Sequence, residues 1–257
     1  MIPSLRVAAS IGAALTLLVV SVAHAQSGSD GRWDRVDTRP QNIPMNALDM
    51  YDAVVGIAVG DRGVVRRTAD SGRTWDVLQL ARQATMRGVA YADARTAVAV
   101  GDSGVIVRST DHAATWQTVP VSTTAALNAI AFVTSADGNI AGGDGSILRT
   151  TDAGASWSIV VAAGDDALNS IAFADRIGLA VGAGGAMLRS EDGGASWSRI
   201  SSGTSAFLRH VRPAGEDRWL AVGDPWTVLV STDRGRHGRR APSIPRAGSS
   251  CRSRRFP

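Results

Sequence analysis

Gly142-Gly143-Asp144-Gly145-Ser146-Ile147-Leu148-Arg149-Thr150-Thr151-Asp152-Ala153-Gly154-Ala155-Ser156-Trp157 is one copy of a text that the chain repeats. Aspartates 70, 111, 152, 192 and 233 recur at spacings of 41, 41, 40 and 41 residues. The first four close on a tryptophan five residues later: Trp75, Trp116, Trp157 and Trp197. Glycine stands ten residues before every one of the five aspartates (60, 101, 142, 182 and 223), and seven before the first four (63, 104, 145 and 185). A repeat of this length is one supersecondary unit that stacks on its neighbours to bury a shared core.

Each unit reads as four short antiparallel strands. The glycine pair brackets a tight turn between two β-rich runs, as in Thr96-Ala97-Val98-Ala99-Val100 and Val105-Ile106-Val107-Arg108. An earlier run such as Met86-Arg87-Gly88-Val89-Ala90-Tyr91 supplies a first strand, and the segment opening on the tryptophan, as in Trp75-Asp76-Val77-Leu78, supplies a fourth. Four strands in about 41 residues is the size of a β-propeller blade. The expected fold is therefore all-β, a propeller of four-stranded blades over residues 45–233, and its broken last copy reads as a C-terminally truncated seven-bladed parent.

The aspartates and tryptophans fit the pattern S/T-x-D-x-G-x-T/S-W, the Asp box. A carboxylate in the turn accepts backbone N–H bonds, glycine permits positive φ, and tryptophan supplies apolar area. Asp70, Asp111, Asp152, Asp192 and Asp233 are read as fold determinants, because isolated carboxylates without a paired acid or ligand cluster rarely do chemistry.

The ends of the chain read differently. Arg6, an apolar run over residues 7–22 and Ala23-His24-Ala25 follow the order of a secretory signal peptide spanning residues 1–25. The run is short for a spanning anchor, so cleavage after Ala25 is expected, with no membrane span afterwards and a periplasmic or secreted location. In residues 26–44, Gly31-Arg32-Trp33-Asp34-Arg35-Val36 resembles the strand that ends a repeat, and reads as a strand that could close the ring. The fifth repeat breaks after Asp233: His237 and Gly238 stand where Thr/Ser and Trp are expected, and Trp226 and Val230 replace a Gly and an Arg. Residues 234–257 are read as an aberrant, disordered Arg-rich tail, whether a basic interaction segment or, the reading favoured here, the product of a frame error.

Charge narrows the function. Eight arginines fall within residues 234–257, whereas residues 26–233 carry 18 Arg against 23 acidic groups, a balance of −5. The basic whole-chain charge is thus no sign of a nucleic-acid face, and that partner class is set aside. The single cysteine, Cys251, excludes an intrachain disulfide. Histidines 112, 210 and 237 show no metal or triad spacing, and no cofactor motif is present.

Two polar sets keep the repeat's register. Asn46, Arg87, Asn128, Asn169 and Arg209 each follow an apolar residue at the start of a first strand. They read either as a ring near one mouth of the central channel, suited to an anionic or peptide partner, or as solvated strand-start residues. Arginines 67, 108, 149 and 189, three residues before each aspartate, read as structural bonds to a neighbouring strand.

The text G-x-A-V-G-D-x-G-x-x-x-R-S/T-x-D-x-G-x-T/S-W, over residues 45–233, resembles the Asp-box propellers of the photosystem II stability and assembly factor family. That resemblance implies a seven-bladed, lumenal or periplasmic, non-enzymatic propeller that holds a membrane-protein client through an arginine-rich patch, to which Arg87 and Arg209 would correspond. It does not imply a photosynthetic host. Sialidase-like glycoside hydrolases also carry Asp boxes, but they need a Tyr nucleophile with its Glu and an Arg-Ile-Pro segment. Here Tyr51 and Tyr91 are the only tyrosines and Arg-Ile-Pro is absent. A carbohydrate-binding propeller is the remaining alternative.

Overall fold

The computed structural model describes residues 8–10, 43–164 and 166–240. Five antiparallel sheets follow one another along the chain, each a meander in which consecutive strands pair. Blade one is built from Met45–Met50, Gly56–Gly60, Val64–Thr68 and Asp76–Gln79, and blade two from Met86–Tyr91, Ala97–Gly101, Ile106–Ser109 and Gln117–Thr118. Blade three comprises Leu127–Phe132, Gly138–Gly142, Ile147–Thr150 and Ser158–Val161, and blade four Leu168–Ala174, Ile177–Gly182, Met187–Ser190 and Ser198–Arg199. Blade five comprises Phe207–Pro213, Trp219–Asp224, Thr227–Ser231 and Arg239–Arg240. The first strands stand side by side in sequence order, so the blades are arrayed around a common axis as in a propeller.

The core lies between blades. Second strands are buried on both faces because alternate side chains meet alternate neighbours: Ala97 and Ala99 pack towards blade one, Val98 and Val100 towards blade three. Large and small residues are matched across these interfaces. Gly178 leaves room for the edge-to-face pair of Phe173 and Trp197, whose ring centroids are 5.7 Å apart; a Cβ at 178 would lie 2.5 Å from Phe173 and 2.8 Å from Trp197.

Blade five solves the same packing problem with other residues. Trp219 occupies the register position of Gly178, Pro213 that of Phe173 and Gly238 that of Trp197. Trp219 is buried against Leu179 and Met187, filling from the second strand much of the space that the box tryptophan fills elsewhere. The fold also runs past residue 233, where the sequence reading set the start of the tail. Asp233 closes its turn on the backbone N–H of His237 at 3.0 Å and on the His237 ring at 2.6 Å, and Arg239–Arg240 pairs with the third strand. An imidazole donor thus takes the place of the Thr/Ser hydroxyl. The rest of the tail lies outside the described residues.

Ala8–Ser10 adds a fifth strand to blade one, pairing antiparallel with residues 47–49. These three residues fall inside the expected signal peptide, the remainder of which lies outside the described residues, as do Trp33 and its closing strand. Among the described residues no helix is long and apolar enough to cross a membrane.

Candidate functional site

The Asp boxes are hydrogen-bonded turns. Asp152 accepts the Thr150 hydroxyl at 2.7 Å, the Ser156 N–H at 2.9 Å and the Ser156 hydroxyl at 2.6 Å, and Trp157 Nε1 donates to the Gly154 carbonyl at 3.2 Å. Asp70, Asp111 and Asp192 repeat the carboxylate's bonds, and Trp75 and Trp197 repeat the indole's, whereas Trp116 Nε1 in the Asp111 box is buried with no hydrogen-bond partner among the described residues. Hydrogen bonds from Thr74 hold Asp70 down at about 2. For Asp192, partial burial pushes upward but is outweighed by the bonds from Ser196 and Ser190, again leaving about 2. Removing the carboxylate while keeping the backbone should therefore weaken the blade without touching any binding face. Asp152→Ala is expected to cost about 1–3 kcal/mol by thermal or denaturant unfolding, with partner binding retained in the molecules that fold. Unchanged stability with lost binding would overturn the assignment.

The register arginines join blades. Arg67 donates to the His112 carbonyl at 3.0 Å, Arg108 to the Ala153 carbonyl at 2.8 Å and Arg189 to the Arg234 carbonyl at 3.1 Å. Each acceptor is the residue after the box aspartate of the next blade. Arg149 turns instead to Asp137 in its own blade at 2.6 Å.

Asn46, Arg87, Asn128, Asn169 and Arg209 share a backbone feature that the sequence did not reveal. In every first strand the register slips between the residue before and the residue after this position, so all five sit on β-bulges. A bulge leaves its extra residue unpaired and re-aims the side chain. The asparagines use that direction to clamp the ring: Asn46 donates to the Met86 carbonyl at 3.0 Å, Asn128 to Leu168 at 2.8 Å and Asn169 to Leu208 at 2.9 Å, each acceptor being the residue just before the bulge position of the next blade. Their amides are thereby engaged within the fold.

The two arginines behave otherwise. Arg87 Nε meets Asp102 at 2.5 Å, and Arg209 Nε meets Asp224 at 2.8 Å, both partly exposed at the same end of the propeller. The acid stands fifteen residues on in both, as Asp61 does from Asn46, which it also accepts at 2.9 Å. This spacing was visible in the sequence, but it signals contact only once the hairpin brings the second turn back over the first strand. Arg209 also lies over the Phe207 ring, 5.2 Å from its centroid.

Near the axis on blade five, His210 is held between two partners. Arg212 Nε, which can only donate, lies 2.9 Å from His210 Nε2, so that nitrogen carries the lone pair and Nδ1 carries the proton towards Ser170 Oγ at 3.2 Å. Burial, and then the neighbouring Arg212 charge, push the imidazole down to about 4. Among the described residues no group of three His, Cys, Asp or Glu side chains is placed to hold a metal.

Fold and boxes together define an Asp-box β-propeller whose one mouth carries two arginines, each paired with an aspartate of its own blade. The sequence profile described as photosynthesis system II assembly factor YCF48 matches residues 108–206, and the resemblance of the repeats to that family holds. No curated protein matches the chain. Among solved structures, YCF48 from Cyanidioschyzon merolae is similar at 17% identity over 79% of this chain and 86% of that one, with a TM-score of 0.55. The GH74 xyloglucanase from Xanthomonas campestris is similar at 16% identity over 75% of this chain and 37% of that one, with a TM-score of 0.61. An ancestral GH74 enzyme is similar at 16% identity over 77% and 31%, with a TM-score of 0.64. The chain thus spans about a third of the GH74 enzymes, and at these identities the likenesses establish the propeller fold alone.

Proposed function

We propose that this chain is a non-enzymatic client-holding propeller of the assembly-factor type, exported to the periplasm or, in a photosynthetic host, the lumen. The observation that carries the reading is the match of residues 108–206, from blade two to the threshold of blade five, to a family named for assembly. The mouth bearing Arg87 and Arg209 is the client face. Each guanidinium engages one Asp through its Nε edge and has further donors on the same planar fork, which suits a carboxylate-bearing protein segment. Asn46, Asn128 and Asn169 support that face by fixing the spacing of the blades.

Replacing Arg87 and Arg209 together with Ala is expected to weaken capture of a membrane or periplasmic client about tenfold at low salt, and less at high salt, where the wild-type attraction is already screened. Thermal stability should change little, since both arginines are half-exposed. Recovery of the same client in equal amount by both forms would remove the arginines from the site. A carbohydrate-directed propeller is the second reading, favoured by the fully exposed indole of Trp226 and by the GH74 likeness. Turnover or binding of xyloglucan by the purified chain would favour it over the client reading.

A further inference from the structure

We propose that the rim pocket between blades two and three binds a sugar acid, with Arg108 taking its carboxylate. This goes beyond the client reading and does not depend on it. The pocket lies by the turn between the third and fourth strands of blade two, at the opposite end of the sheet from the turn that carries Asp102. Its volume is about 200 Å³, and its wall runs from Arg108 through Thr110, Gln117 and Thr118 to Val119 and Pro120, with the box turn of blade three opposite.

Charge sets this pocket apart from its counterparts in the other blades. The register arginine recurs in blades one to four, and in three of them an acid stands beside it. Arg149 pairs with Asp137, Arg189 pairs with Glu191, and Asp76 lies directly across the strand pair from Arg67. In blade two the residue across from Arg108 is Gln117, and Thr110 and Thr96 hold the positions of Glu191 and Asp137. Arg108 Nε donates to the Ala153 carbonyl at 2.8 Å, and its two terminal nitrogens have no partner among the described residues. Asp93, close enough to feel that charge, gives its carboxylate to the N–H groups of Arg95 and Thr96, both at 2.8 Å. Asp111 is taken up by the donors of its own box. A guanidinium fixed through Nε, with the other two nitrogens of its fork unused, is built to take a carboxylate.

The groups around the cation define the rest of the ligand. Thr110 and Thr118 offer hydroxyls and Gln117 an amide, which both donate and accept, while Val119 and Pro120 supply apolar surface. Sugar hydroxyls need the first kind of partner and the C–H face of a sugar ring the second. The volume falls below the roughly 300 Å³ at which drug-sized sites begin, so the pocket suits one ring and not a chain of them. The box beside it departs from the repeat at the same place. Ala113 stands at φ 62 where the other boxes have glycine, and the Trp116 indole lacks the carbonyl acceptor that Trp75, Trp157 and Trp197 find. Backbone strain of this kind gathers at ligand sites.

Titration of the full chain with D-glucuronate, followed by NMR, tests the proposal, with D-glucose and acetate as probes of the ligand's two halves. Glucuronate is expected to bind with a dissociation constant of about 1 mM, the range a ligand of its size supports, and to shift the indole N–H resonance of Trp116. Glucose and acetate should each bind about tenfold more weakly, because each forgoes one half of the contacts. Thr110→Glu and Gln117→Asp install the acids of blades four and one, so both variants should fold as those blades do. Each places an anion beside Arg108 and should weaken glucuronate about tenfold. No binding of glucuronate, binding of glucose or acetate as tight as glucuronate, or glucuronate binding unmoved by both variants overturns the proposal.

Discussion

Gly185→Ala is expected to lose about 3 kcal/mol or more, enough to lower the midpoint of thermal unfolding by several degrees. Gly185 has φ +77, and a Cβ built there lies 1.8 Å from the Thr204 carbonyl oxygen and 2.8 Å from its carbon. Both contacts are backbone, so no side chain can rotate out of the way. The linker from blade four to blade five would have to move, and with it the first strand that carries Arg209. Differential scanning calorimetry of the single variant checks this; a loss below about 1 kcal/mol would mean that the linker yields easily. At the matching position of blade five stands Trp226, with φ 51 and a side chain 95% exposed, so the close backbone contact that excludes a Cβ at Gly185 is not repeated there.

Acid is expected to unfold the domain in two windows, distinguished by the sign and cause of each shift. His210 is neutral in the fold because burial, followed by the Arg212 charge, lowers it from 6.5 to about 4. As pH falls below about 6.5 the unfolded chain takes up a proton that the folded chain refuses, so stability declines until about pH 4, by about 3 kcal/mol in all. Arg212 donates directly to His210; burial lowers its own pKa and Asp49 opposes that, and because a guanidinium stays charged throughout this range, protonating Nε2 would set two cations together. Below pH 4 the box aspartates take over. Their folded values lie below the ordinary 3.8, about 2 for Asp70 and Asp192, so their stabilisation is present above about 4 and is lost as pH falls towards 2. Urea midpoints measured from pH 7 to pH 2 should show both declines. His210→Gln should flatten the upper one and leave the lower; a wild-type profile flat between pH 6.5 and 4 would contradict the buried, neutral imidazole.

The residues that were legible act locally. The box aspartate, its hydroxyl partners and its tryptophan lie within eight positions of one another, as do the glycines of the turn, so a single sequence displays their spacing whole. Repetition of that text five times then specified four-stranded blades and a propeller. Arginines 67, 108, 149 and 189 were expected to bond a neighbouring strand; Arg67, Arg108 and Arg189 instead reach the box turn of the next blade and Arg149 an aspartate of its own, so register announced a repeated structural job but not its acceptor.

What the sequence by itself determined, then, is the blade: its strands, its turns and its box. Tertiary structure decided what the five bulge residues do. Asn and Arg occupy the same register and looked like one polar ring, yet the asparagines reach the carbonyl of a neighbouring blade while the arginines pair with Asp102 and Asp224 in their own. That division depends on how far blades stand apart and on where a bulge points, neither of which is encoded within a single repeat. The same holds for blade five, where Trp219, Pro213 and Gly238 look like three separate departures from the pattern. Only in the fold do Trp219 and Gly238 come together, lining one space beside Leu179 and Met187 that the second strand fills where the box tryptophan is missing, while Pro213 pairs with Trp219 from an exposed position.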